Sequence, residues 1–110
     1  PNVASTLKGL DIVVMPSLWE ACGLLAMETM VAGTPIVGTN CVGLREVLRN
    51  TPAYVVPAQN GRALADALLM EMRSPTTVKA REFTIEASVR FDVKNSVTEI
   101  EKLMLKLLAR

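Results

Sequence analysis

Histidine is absent from this sequence, and cysteine occurs only twice. Without an imidazole the segment offers no Ser-His-Asp or Cys-His nucleophile, no histidine base and no His-ligated metal site. Cys22 and Cys41 do not form a CxxC pair. Two cysteines are too few for a disulfide framework in so small a chain, which points to a reducing compartment. Neither sign of charge is concentrated: 12 Lys and Arg stand among 11 Asp and Glu, for a net charge of +1. There is no basic block to bind nucleic acid and no acidic tail. No apolar run approaches the ~20 residues of a membrane-spanning helix. Internal repeats, low-complexity tracts and linkers are also missing.

Half of the 110 residues are hydrophobic, enough for one folded domain with one core. The chain opens on Pro1, and Asn2–Leu10 reads as the end of an element. The expectation is therefore a single partial domain over 1–110. Asp11–Met15 is a short β-branched run stopped by Pro16-Ser17, as in a buried parallel strand. Gly23–Ala32 reads as a helix ending at Gly33. Pro35–Gly38 is a second strand, Leu44–Arg49 a short helix, and Ala53–Val56 a third strand. Asn60 caps a helix reaching Arg73, with Leu64, Leu68 and Met72 in steps of four. Ser74-Pro75 breaks it, and one helix follows over Thr76–Ser88. Asp92–Ala109 is the cleanest amphipathic helix, its stripe formed by Val93, Val97, Ile100, Met104 and Leu107. Strands alternating with helices predict an α/β fold with a Rossmann-like parallel sheet in three layers.

Ligands of such sheets sit at the carboxyl ends of the strands, here the loops Pro16–Gly23, Thr39–Gly43 and Pro57–Asn60. The first sets Trp19, Glu20, Cys22 and Gly23 before a helix N-terminus, where free N–H groups and the helix dipole suit a phosphate. Its composition alone favours an ordinary βα turn. Glu28 lies in an almost wholly apolar helix, with Leu24 and Leu25 before it and Val31 and Ala32 after. A buried carboxylate needs a partner, and a pair of ligand hydroxyls would serve. A half-exposed or backbone-capping Glu28 explains the pattern equally well. Trp19 reads as packing at a strand end, with stacking on a base or sugar as the alternative; Cys22 and Cys41 read as small packing residues, with reactive thiols near the loops as the alternative. Arg45 and Glu46 read as helix-surface or loop-fixing residues, with Arg45 in reach of a phosphate as the alternative.

The stretch Asp11–Leu48, DIVVMPSLWEACGLLAMETMVAGTPIVGTNCVGLREVL, resembles the signature region of the retaining GT-B glycosyltransferases of glycosyltransferase family 4. That family is marked by two glutamates with seven residues between them, usually E-x-F-G-x-x-x-x-E. Here the text is Glu20-Ala-Cys22-Gly23-Leu-Leu-Ala-Met-Glu28, followed by Met30-Val-Ala-Gly33-Thr-Pro35 and Gly43-Leu-Arg-Glu46-Val. The later VVP, the Ala-Leu-Ala-Asp-Ala-Leu helix and Arg90-Phe91 also fit, so the resemblance covers nearly the whole chain. It departs where Cys22 replaces the usual Phe, which removes a packing contact behind the loop. It departs again where Val42-Gly43 replaces Gly-Gly, which stiffens that turn.

The resemblance implies the carboxyl-terminal half of a GT-B donor domain. Its function would be transfer of a sugar from a UDP- or GDP-sugar to an acceptor hydroxyl, with retention and without a metal cofactor. It implies that Glu20, the candidate catalytic residue, contacts hydroxyls of the donor sugar. Cys22, Gly23 and Leu24 would offer N–H groups to the sugar or diphosphate. Glu28 would hold the ribose, and Gly38 and Thr39 would lie near the nucleotide. An Arg/Lys pair clamping the diphosphate and a domain for a glycan or lipid-linked acceptor are expected upstream, so these 110 residues alone should be inactive. The expected location is the cytoplasm or the inner face of the membrane. In the usual strand order these strands would be the last three, leaving Asp11–Met15 as an open edge and a route to a homodimer. A non-catalytic nucleotide-sugar-binding module and a GT-B epimerase are the competing readings.

Overall fold

The computed structural model describes residues 2–110. The elements run α1 (Val3–Lys8), β1 (Val13–Met15), α2 (Leu24–Ala32), β2 (Ile36–Thr39), α3 (Arg45–Leu48) and β3 (Tyr54–Val56). Then follow α4 (Gly61–Arg73), α5 (Thr77–Glu82), α6 (Thr84–Arg90) and α7 (Val93–Leu108). The strands form one parallel sheet in the order β1-β2-β3, with Val13 opposite Ile36 and Val37 opposite Tyr54. This is the expected consecutive order. Among the described residues β1 pairs with β2 alone, so its outer edge is open.

The alternation of strand side chains assigns the layers. Val13, Met15 and Ile36 face a core shared with Ala26 and Met30 of α2, Leu44, Val47 and Leu48 around α3, and Phe83 and Ala87. Val37 and Val56 face the opposite way, onto Ala67 of α4, with Ile12, Leu64 and Leu68 around them. The result is helix, sheet, helix. Buried Glu71 would be costly on α4, but Thr76 satisfies it: its N–H and its hydroxyl donate to the two carboxylate oxygens at 2.8 and 2.9 Å. That pair turns the chain at Ser74-Pro75.

Local signals match at the helix ends. The Asn60 side chain accepts from Ala63 N, Asp92 accepts from Lys94 N, and Gly33 closes α2 at φ 78°. Several expectations need correction. Asn2–Leu10 is no element's end: it holds α1, with its own cap from Asn2 to Ala4 N and Ser5 N. Thr34 ties that helix down by donating to Leu7 O at 2.7 Å. The single helix over Thr76–Ser88 is two, meeting at Phe83, whose ring is drawn into the core. Met72 is exposed, because the buried line of α4 runs through Ala67 and Glu71. The α7 stripe is real in pattern, yet α7 has no buried residue. No helix among the described residues is long and apolar enough to cross a membrane.

Candidate functional site

The three loops at the carboxyl ends of the strands are tied to one another. Thr39, at the end of β2, donates its hydroxyl to Ser17 O in the first loop. Ser17 donates its own hydroxyl to Glu20 Oε1 at 2.6 Å. Glu20 N–H donates to Val42 O of the second loop at 3.1 Å. Asn40 N–H donates to Val56 O at 2.9 Å, and its side chain accepts from Ala58 N in the third loop. Glu20 is thus held by side chain and main chain, although it lies in a loop.

Two glycines let these loops approach. Gly43 has φ 84°, and a Cβ there would fall 1.9 Å from Glu20 O. Gly23, at φ 65°, is the residue before α2, and a Cβ on it would press on Gly43 O at 3.2 Å. The Val42-Gly43 departure is therefore harmless: the glycine kept is the one the left-handed turn and the close contact require, and Val42 is exposed. Gly23 O accepts from Ala26 N and Met27 N, and no side chain caps the helix. The amides of the first turn, Leu24 among them, remain available to an anion.

Of the two readings of Glu28 that the sequence left open, the exposed one holds. It is exposed, not buried, so the argument from desolvation does not apply to it. α2 turns Ala26, Thr29 and Met30 inward, which leaves Leu24, Leu25, Glu28 and Val31 outward. Glu28 lines a groove of about 460 Å³ between α1 and α2, with Val3, Leu24, Met27, Val31 and Phe91; Lys8 is the other charged group on its wall. Leu24, at the start of α2, borders the same groove, which joins the helix N-terminus to Glu28.

The other site residues divide. Gly38 and Thr39 are buried. A Cβ on Gly38 would fall 2.6 Å from Leu48 Cδ1, so this glycine admits α3 onto the sheet. Thr39 spends its hydroxyl on the first loop. Cys41 is buried as expected, but Cys22 is exposed, and the packing reading fails for it. It fails for Trp19 as well, which is 67% exposed beside exposed Leu18. Arg45 pairs with Glu46 at 3.1 Å, both well exposed. The Glu46 carboxyl is held below its ordinary value of 4.5, first by its own main-chain N–H and then by Arg45. Sequence reasoning missed Ser17 and Arg90. Arg90 donates to the carbonyls of Arg49, Glu46 and Val47 and so caps α3. The three-residue step from Ser17 to Glu20 was the available signal for the first.

Residues 1–73 match the family model described as glycosyl transferases group 1. The chain is 41% identical over 83 residues to the 2-deoxystreptamine N-acetyl-D-glucosaminyltransferase of Streptomyces fradiae, covering 71% of this chain and 20% of that protein. It is 41% identical over 69 residues to the D-inositol 3-phosphate glycosyltransferase of Paenarthrobacter aurescens (strain TC1), covering 62% of this chain and 17% of that one. It therefore spans about a fifth of the length of these curated relatives. In structure it superposes on Anabaena HepE, solved in complex with UDP, with a TM-score of 0.79 at 22% identity, over 92% of this chain and 29% of that one. The fold is thus that of a GT-B glycosyltransferase, and the chain belongs to the group 1 glycosyltransferase family.

Proposed function

We propose that the intact protein transfers a sugar from a nucleoside diphosphate-sugar to an acceptor hydroxyl with retention, and that this chain supplies part of the donor site. The observation that carries the reading is the placing of two glutamates on either side of one helix start. Glu20 is locked in the loop before α2, and Glu28 stands in the groove one turn beyond Leu24. Between them lie uncapped amides. The family supports the reading, and so does the UDP bound by the structurally similar HepE.

The roles follow from chemistry. Glu28 accepts from the two ribose hydroxyls, as acidic residues do in dinucleotide sites. The amides of Cys22, Gly23 and Leu24 meet the diphosphate or sugar, and Glu20 accepts from sugar hydroxyls. When the bond from sugar to phosphate breaks, charge grows on the departing diphosphate, and dipoles already aimed there stabilise it without reorganising. Gly38 and Thr39 support these loops from beneath. Acceptor binding, and the cations that complete the diphosphate site, belong to the remainder of the protein. Two free thiols, one of them exposed, suit a reducing cytoplasm.

The test is binding to the intact protein. Saturation-transfer NMR with UDP- and GDP-sugars identifies the donor class, and Glu28→Ala should then weaken nucleotide binding about tenfold or more. Unchanged affinity rejects the ribose role.

A further inference from the structure

Ser17 is a residue of the first loop bonded in two directions, through its main chain to the sheet and through its side chain to Glu20. Its carbonyl accepts from Thr39, a residue 3% exposed and in register with Val56 inside the sheet. Its hydroxyl donates to Glu20 Oε1 at 2.6 Å. The sheet therefore holds Ser17, and Ser17 holds the carboxylate. Among the described residues no other side chain donates to Glu20, and Oε2 has no partner there. A loop glutamate without this bond would sample several rotamers and lose that freedom on binding. One hydroxyl on one oxygen removes the freedom in advance and leaves the other oxygen as an acceptor.

We propose that Ser17 is a positioning residue for the donor sugar: it fixes Glu20 so that Oε2 receives the sugar's hydroxyls. This rests on the sugar-contacting role proposed for Glu20. The effect should be confined to the sugar, because Ser17 does not line the groove that holds Glu28. A threonine hydroxyl can replace the serine. Alanine cannot, and a thiol does so only weakly.

Calorimetric titration of the intact protein tests this, with UDP-glucose, UDP-N-acetylglucosamine and GDP-mannose as sugar probes and UDP and GDP as sugar-free probes. Ser17→Ala should weaken the sugar nucleotide that binds by about tenfold while the matching diphosphate binds as before. Ser17→Thr should stay within about twofold of the parent. If Ser17→Ala does not fold, Ser17→Cys should show the same selective loss. Equal loss for sugar nucleotide and diphosphate would overturn the proposal, since a collapsed loop would explain it. So would unchanged binding of both. Glu20→Gln run in parallel separates the two ideas. If Glu20→Gln weakens the sugar nucleotide and Ser17→Ala does not, only the positioning role fails. If neither does, the role of Glu20 fails with it.

Discussion

A Cβ on Gly43 would stand 1.9 Å from the carbonyl oxygen of Glu20. Backbone meets backbone at this point, so no side chain can swing aside. The contact joins the loop after β1 to the loop after β2 and sits beside the bond from Glu20 N–H to Val42 O. The geometry of Glu20 is thus set as much by the second loop as by its own.

Gly43→Ala should therefore do more than strain one residue. The φ of 84° alone costs an L-residue about 1–2 kcal/mol, and parting the loops adds to it. We expect a stability loss of about 2–4 kcal/mol in chemical denaturation, together with weaker binding of the sugar nucleotide. Val42→Gly, next door but exposed, should change stability by less than about 1 kcal/mol. Equal losses from the two substitutions would show that the contact with Glu20 is not what demands glycine at position 43.

Glu28 offers a contrast between stability and binding. It is exposed and, among the described residues, no side chain bonds to it. Glu28→Ala should therefore leave thermal stability within about 0.5 kcal/mol, while nucleotide affinity falls. A large loss of stability would instead restore the buried, partnered carboxylate suggested by the apolar text around it.

That text explains what could be read from the sequence and what could not. The strands, their order and the ends of α2, α4 and α7 depend on short local patterns: β-branched runs stopped by proline, Asn60 and Asp92 as caps, Gly33 after α2. The spacing of Glu20 and Glu28 also lies within one short stretch, and their proposed roles come from the resemblance of that stretch to the family. The direction α2 faces was not legible, because a helix apolar all round carries no phase, and only its packing through Ala26 and Met30 chooses a side. Trp19 misled because an aromatic at a strand end implies packing only if something lies over it. The bonds from Thr39 to Ser17 and the fit of Gly43 against Glu20 join distant segments, so no window of sequence contains them.

Arg90 should matter to the site although it is far from it in sequence. Its guanidinium caps the carbonyl end of α3 and lies 5.2 Å from the centroid of the Phe91 ring. α3 in turn packs Leu48 over Gly38, beneath the second loop. We expect Arg90→Ala to cost about 1–2 kcal/mol in a denaturant melt, with Arg90→Lys recovering only part of it, since an ammonium cannot fork across three carbonyls. Full recovery by lysine would reduce the interaction to charge alone.

Glu46 gives the chain a pH dependence whose sign is fixed. Its folded carboxyl is held below the ordinary 4.5, so folding favours the ionised form. The stabilisation is complete above the ordinary carboxylate range and is lost as pH falls through the lower, folded value. Carboxyl carbon NMR should place the Glu46 midpoint below 4.5. Arg45→Gln should raise that midpoint only part of the way, because the largest cause is the carboxylate's bond to its own main-chain N–H, and the Arg45 bond at 3.1 Å ranks second. Added salt should reproduce the direction of the Arg45 change, since both groups are exposed and their attraction is screened, whereas the main-chain bond persists. A return to 4.5 on removing Arg45 would assign the whole effect to the ion pair and deny the helix start any part in it.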